Sequence, residues 1–354
     1  METWPPFDDA QAPTLVSTGA LPSEQEVAVL VTDAYERYWD LDEGVVADYI
    51  PALAEVDPRL FGVCIAGVGG RVFSAGAAEH EFSIQSVSKP FVFALVCQAL
   101  GHEEARRKLG VNSTGLPFNS VMAIELNEDR TMNPMVNAGA IATTSLIPGD
   151  TADAKWRYIQ AGLSSFAGRA LELDQEVYES ESETNLRNHG IAHLLDSYGR
   201  LYFDPDEATD VYTRQCSLRV CARDLAVMGA TLAGGGVNPL TGVEVIAEDN
   251  CKRVLAVLAT AGLYERSGEW LYETGLPGKS GVSGGIVTVS PGKGGLGTFS
   301  PPLDQAGNSV RGQRVVRYLS HRLGLNLFAS RPASAGLVRP EEPAVAVDAA
   351  EAAG

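Results

Sequence analysis

Residues 81–101 read EFSIQSVSKPFVFALVCQALG. From Pro90 onward the apolar residues Phe91, Val92, Phe93, Leu95, Val96 and Leu100 fall all round a helical wheel, which predicts a helix buried on every side. Pro90 fits only in the first turn, where its missing N–H has no intrahelical acceptor to lose. The helix therefore starts close to Ser86, and Lys89 follows one turn later on the same face. A helix of this kind needs a shell of other elements, so what flanks it determines the fold.

Upstream, EQEVAVLVTDAYERYW (24–39) has helical spacing of apolar residues, and FGVCIAGVGGRVFSAG (61–76) reads as two strands around a glycine-rich turn. Gly67, Gly69 and Gly70 approach a dinucleotide-binding pattern. That pattern must lead from a strand into a helix, and here a second strand follows, which argues against it. Downstream, ADAKWRYIQAGLSSFAGRAL (152–171), NLRNHGIAHLLDSYG (185–199), VCARDLAVMGATLAGGG (220–236) and CKRVLAVLATAGLY (251–264) carry the helical period. Glycine-punctuated strands return in GLPGKSGVSGGIVTVSPGKGGLGTFSPP (275–302), and NSVRGQRVVRYLSHRLG (308–324) closes as an amphipathic helix.

Strands at both ends with helices between them predict an α/β architecture with an inserted all-helical lobe. The α/β lobe takes residues 23–85 and 250–329, and the helical lobe takes 86–249. Residues 1–22 and 330–354 are rich in Pro, Ala and acidic residues, lack periodicity, and read as flexible tails. The cleft between the lobes is the expected site.

The 354 residues carry a formal charge of −18 with a pI near 4.7, a balance that repels phosphate backbones and argues against nucleic acid as a partner. No apolar run reaches the ~20 residues that span a bilayer, and the N-terminal stretch lacks a basic n-region and apolar h-region, so a cytoplasmic protein without membrane association is expected. Five cysteines, Cys64, Cys97, Cys216, Cys221 and Cys251, are odd in number and form no C-x-x-C pair. Buried free thiols fit better than disulfides or zinc. His189 and His193 are four apart, yet HGIAH lacks the glutamate of H-E-x-x-H, so no metal is expected there. Asp42, Glu43 and Asp48 read as a solvated acidic face, and Asn127, Glu128 and Asp129 as support for a turn.

Chemistry enters through S-x-x-K. The pattern is weak alone, since Ser290 to Lys293 also matches within an evident turn. Around Ser86 the setting differs: burial disfavours the charged ammonium, so Lys89 can accept the serine proton near neutral pH. A helix start also favours negative charge developing at Ser86. Ser86 as a simple N-cap, with Lys89 reaching to solvent, is the competing explanation. Against it stands Lys279-Ser280-Gly281 at the start of a late strand, in the manner of the K-T-G element of S-x-x-K enzymes.

FSIQSVSK, LNEDRTMNPMVNAGAI, AGLYERSGEW and GLPGKSGVSGGI, with YIPALAEVDP upstream and SPPLDQAGNSV downstream, resemble the serine-dependent glutaminase family in order over about residues 25–325. The resemblance implies a serine β-lactamase-like fold, an antiparallel sheet flanked by helices, and hydrolysis of L-glutamine to L-glutamate and ammonia without metal or organic cofactor. It also implies a homo-oligomer, a dimer or tetramer.

By position it makes Ser86 the nucleophile, Lys89 its base, Tyr264 a proton relay and Val282, through its N–H, a partner of the Ser86 N–H in the oxyanion hole. Tyr49, Gln85, Asn137, Glu181, Asn188 and Tyr212 match substrate-binding positions. Glu181 suits the substrate ammonium, and amides and phenols suit the carboxylate. In SESETNLRN the register rests on spacing and the RN landmark, leaving Glu179 or Glu183 as alternatives to Glu181, and Asn185 as the rival of Asn188. Rival functions are a penicillin-recognising or esterase-like S-x-x-K hydrolase and a non-catalytic amino-acid sensor.

Overall fold

The computed structural model describes residues 21–330, so the stretches expected to be tails lie almost wholly outside the described residues. The main sheet has five strands. Its members are β1 (Gly62–Gly67), β2 (Val72–Gly76), β5 (Gly278–Ser280), β6 (Gly285–Ser290) and β7 (Gly294–Phe299), and the short β3 (Phe82–Ser83) and β4 (Arg219–Val220) pair separately. The order β2-β1-β7-β6-β5 is antiparallel throughout, with Ile65 opposite Leu296 and Val287 opposite Gly297. The expected hairpin is thus β1–β2, and the centre of the sheet joins the two ends of the chain.

Alternation along β1 builds two cores. Val63 and Ile65 meet Val27 and Val31 of the N-terminal helix (Glu24–Tyr38) and Val315 and Leu319 of the C-terminal helix (Val310–Arg322). Cys64 and Ala66 face the opposite way, into a larger cluster with Leu225, Ala226, Val287 and Val289. The helix Ala222–Ala233, which lies inside the stretch assigned to the helical lobe, covers this face of the sheet. It packs backbone against backbone: a Cβ at Gly297 would sit 1.9 Å from the Ala222 carbonyl oxygen, and one at Gly295 2.3 Å from that of Ala226. This close approach accounts for Gly295 and Gly297 of GGLGTF.

The helix Lys89–Leu100 is buried from Lys89 to Cys97, with Pro90 in its first turn as expected. Helices Asn137–Ser145, Ala152–Ala167 and Glu248–Ala261 surround it. Burying each large apolar side chain contributes about 1.5–3 kcal/mol, so Phe91, Val92, Phe93 and Val96 fix this helix in place. The five cysteines are free and buried. Among the described residues no helix is long and apolar enough to cross a membrane.

Candidate active site

Ser86 sits at the junction of the two parts. The chain enters through β3, whose Phe82 pairs with Val220 of β4 and stacks on Phe299 of β7, ring centroids 4.1 Å apart. Ile84 N–H then donates to the Leu218 carbonyl at 2.8 Å. Where the sequence predicts the first turn of an α-helix, the structure has a 3-10 turn, Gln85–Ser88, and the α-helix begins at Lys89. Gln85 adopts φ +50°, a conformation that side-chain-bearing residues rarely occupy.

The turn forms one wall of a cavity of about 440 Å³. Ser86, Gln85, Asn137, Glu181, Asn188, Tyr212, Tyr49 and Val282 line it, and Lys89 and Tyr264 touch the lining residues from behind. Tyr49 is at the mouth, 55% exposed. Ile50, Phe118, Asn119, Thr184, Asn185 and Arg187 complete the lining. Sequence alone did not single out Phe118, Asn119, Thr184 and Arg187, which sit on loop and helix-end positions without a chemical pattern.

Lys89 is 1% exposed and donates to Asn137 Oδ1 at 2.7 Å and to the Met135 carbonyl at 3.3 Å. Burial lowers its pKa to about 8, against an opposing pull from Cys216 and Glu181. The Ser86 hydroxyl is engaged by the Tyr264 phenol, whose pKa burial raises while that hydrogen bond pulls it down. Tyr264, with φ +57°, lies near two lysine amines: Lys279 Nζ is 4.0 Å from its ring centroid and Lys89 Nζ 5.6 Å. Lys279 is 0% exposed, donates to the Ser280 carbonyl at 2.7 Å, and is held well below the ordinary lysine range by burial and by Lys89. Two buried lysine amines thus lie close to one phenol beside the serine.

At the other side of the cavity Gln85 Nε2 donates to Glu181 Oε2 at 3.1 Å. Burial raises the Glu181 pKa to about 7, opposed by that hydrogen bond and by Lys89. Glu179 and Glu183 are exposed on the same helix, and Glu179 is taken by Gln175 at 2.7 Å. SESETNLRN spans the break between helices Gln175–Thr184 and Leu186–Ser197. Asn188 Oδ1 accepts from Asn137 Nδ2 at 3.0 Å, while Asn185 Nδ2 donates to Thr213 Oγ1 at 2.6 Å. Both asparagines line the cavity, but only Asn188 is tied to the Lys89–Asn137 pair.

Val282 belongs to the β5–β6 turn, closed by Gly284 N–H to the Gly281 carbonyl at 2.9 Å. The turn is tied to β3, just before Ser86, by Ser283 Oγ, which donates to the Ser83 carbonyl at 2.5 Å. Among the described residues neither the Ser86 nor the Val282 N–H donates to another backbone carbonyl. Both remain free to receive a ligand oxygen.

The second S-x-x-K is structural: Lys293 Nζ donates to the Gly324 carbonyl at 2.6 Å. His189 and His193 both face Asp206 on the surface, at 2.8 and 3.3 Å.

Residues 44–328 match the family model described as Glutaminase. The chain is 60% identical over 329 residues to glutaminase 2 of Yersinia pestis, covering 92% of this chain and 97% of that protein. It is 49% identical over 307 residues to a glutaminase of Colwellia psychrerythraea, covering 87% and 99%. Among solved structures, a probable glutaminase, ybaS, superposes with a TM-score of 0.86 at 47% identity, covering 87% of this chain and all of that one. A probable glutaminase from Bacillus subtilis, complexed with 6-diazo-5-oxo-L-norleucine, does so with a TM-score of 0.77 at 30% identity, covering 85% and 96%. The antiparallel sheet flanked by helices is the serine β-lactamase-like fold that the sequence pointed to. With its family model spanning the sheet, the helical insertion and the cavity between them, the chain belongs to the glutaminase family.

Proposed function

We propose that the protein hydrolyses L-glutamine to L-glutamate and ammonia through a glutamyl ester on Ser86. The observation that carries this is a hydroxyl open to the cavity, engaged by Tyr264 and one helical turn from a buried lysine of lowered pKa, with a buried carboxylate across the cavity.

The substrate ammonium binds Glu181, and its carboxylate meets the amides of Asn137 and Asn188 and the phenols of Tyr49 and Tyr212. Ser86 Oγ attacks the γ-carbonyl carbon while its proton passes to neutral Lys89. The resulting oxyanion is met by the Ser86 and Val282 N–H groups. The C–N bond then breaks, Tyr264 gives its proton to the departing nitrogen, and the proton on Lys89 restores the phenol. Water attacks the ester by the reverse relay, releasing glutamate and the Ser86 hydroxyl. No step calls for a metal or organic cofactor.

The same reading includes a cytoplasmic location, a homo-oligomer of two or four chains, and a division into a sheet lobe (23–85 and 250–329) and a helical lobe (86–249). Ammonia release from L-glutamine by the wild type and by Ser86→Ala tests the reaction and the nucleophile together. Turnover surviving in Ser86→Ala overturns the assignment. Light scattering on the purified chain tests the oligomer, and a monomer at micromolar concentration excludes it.

A further inference from the structure

Ser88 does not line the cavity, yet it is tied to the residue before the nucleophile. Its Oγ donates to the Gln85 carbonyl at 2.8 Å and accepts from Gln215 Nε2 at 2.9 Å. Gln215 Oε1 in turn accepts from Thr144 Oγ1 at 3.0 Å. Ser88, Gln215 and Thr144 are each 0% exposed, so no water competes for these bonds. The chain of hydroxyl, amide and hydroxyl links the helices Asn137–Ser145 and Pro205–Cys216 to the nucleophile turn.

The backbone group it holds has a second end. The Gln85 carbonyl and the Ser86 N–H belong to one planar trans peptide unit, so they point in opposite directions and turn together. Fixing the carbonyl toward Ser88 therefore fixes the N–H of Ser86, a residue that lines the cavity, on the side away from Ser88. The unit needs fixing because Gln85 is held at φ +50°, where a residue with a side chain is seldom found unless its surroundings impose it.

We propose that Ser88, braced by Gln215 and Thr144, is a positioning residue that aims the Ser86 N–H as an oxyanion donor by clamping the Gln85–Ser86 peptide unit. This rests on the serine reading above. Because the clamp acts on a donor used in the transition state, its loss lowers kcat far more than it alters KM.

The test is a double-mutant comparison in the full-length protein, with glutamine turnover as the readout. Ser88→Ala removes one buried bond that helps hold Gln85 at positive φ while the bonds to Leu218 and Glu181 remain, so kcat is expected to fall by about 10-fold, with KM within about threefold. Glycine occupies positive φ about as readily as negative, so in a Gln85→Gly background the same substitution is expected to lower kcat by only about two- to threefold. Gln85→Gly itself raises KM by removing an amide from Glu181, which leaves the comparison of ratios intact. Equal fractional losses in the two backgrounds would show that Ser88 acts only by packing and overturn the proposal. So would a parallel change in KM and kcat.

Gln215→Met removes the brace without touching the turn, and serves if Ser88→Ala does not fold. Its kcat is expected to fall by about three- to tenfold, again with the loss abolished by Gln85→Gly. An unchanged kcat in Gln215→Met overturns the bracing role. Full turnover in Ser86→Ala would instead remove the serine reading itself, a separate outcome.

Discussion

Asn137 joins Lys89 to Asn188 at the cavity wall: its Oδ1 accepts from Lys89 Nζ at 2.7 Å, and its Nδ2 donates to Asn188 Oδ1 at 3.0 Å. One side-chain amide thus orients the Lys89 amine and an asparagine that lines the cavity.

Lys89 must be neutral to take the serine proton, and burial lowers its pKa to about 8. Turnover should therefore rise with pH through about 8 and level off above it. Asn137→Ala removes an acceptor that favours the charged ammonium, so this rise should move to lower pH while KM increases. Lys89→Ala should lower kcat by about 10²–10⁴-fold. A profile flat between pH 6.5 and 9 in the wild type, with chemistry rate-limiting, would contradict the role of Lys89 as base.

Glu181 must be ionised to hold an ammonium, and its pKa lies at about 7. KM should rise as pH falls through 7, and Glu181→Gln should raise it by about ten- to a hundredfold while flattening its pH dependence. Glu179→Gln and Glu183→Gln, on the exposed face, should leave KM unchanged. If one of these raises KM instead, the ammonium is held there.

The same group makes a prediction about stability. Its folded pKa is above the unfolded value near 4.5, so the folded state binds the proton more tightly. The carboxylate then costs no stability below pH 4.5, and its cost grows as pH rises to about 7, where it is complete. Glu181→Gln should raise Tm by a few degrees at pH 8 and leave it unchanged at pH 4.5. Thermal melts at the two pH values decide the matter, and a lower Tm at pH 8 would refute it.

Tyr264→Phe should collapse kcat by about 10²–10⁴-fold with little change in KM, since it removes a proton carrier and keeps the ring beneath Lys279. The raised phenol pKa keeps the proton in place across the working range. Near wild-type turnover in the phenylalanine variant would assign the relay elsewhere.

A glutamine-like diazo-ketone should label Ser86 once per chain, because Ser86 opens onto the cavity while all five thiols are buried. Peptide mass mapping checks the adduct. Its appearance on Cys216, behind the lysine, would displace Ser86 as the nucleophile.

Much of this architecture was legible because periodicity and glycine punctuation are local signals. The all-apolar face of residues 91–97 predicted a buried helix, and GGLGTF predicted a strand, since each needs only its own neighbours in sequence. The 3-10 turn at Gln85–Ser88 and the positive φ of Gln85 were not legible, because they arise from bonds to Leu218 and Gln215, more than 120 residues away. Within the cavity, the resemblance placed Glu181 by its spacing from Asn188 and the RN landmark, but its separation from Glu179 and Glu183 depends on which side of a short helix faces Gln85. Likewise nothing local distinguishes Arg187, whose Nε donates to the Asn119 carbonyl at 3.0 Å across the cavity wall.

The glycine seam between β7 and the helix Ala222–Ala233 reaches further than packing. That helix starts two residues after β4, and β4 holds β3, from which the chain runs directly to Ser86. A methyl group at Gly297 is a wedge with no room to yield, so the helix must lift and the strand pair must follow. The enzyme can thus be silenced from its back, through a lever whose load end is Ser86. A random screen for inactive but soluble variants should therefore recover Gly295 and Gly297 alongside Ser86, although neither glycine lines the cavity.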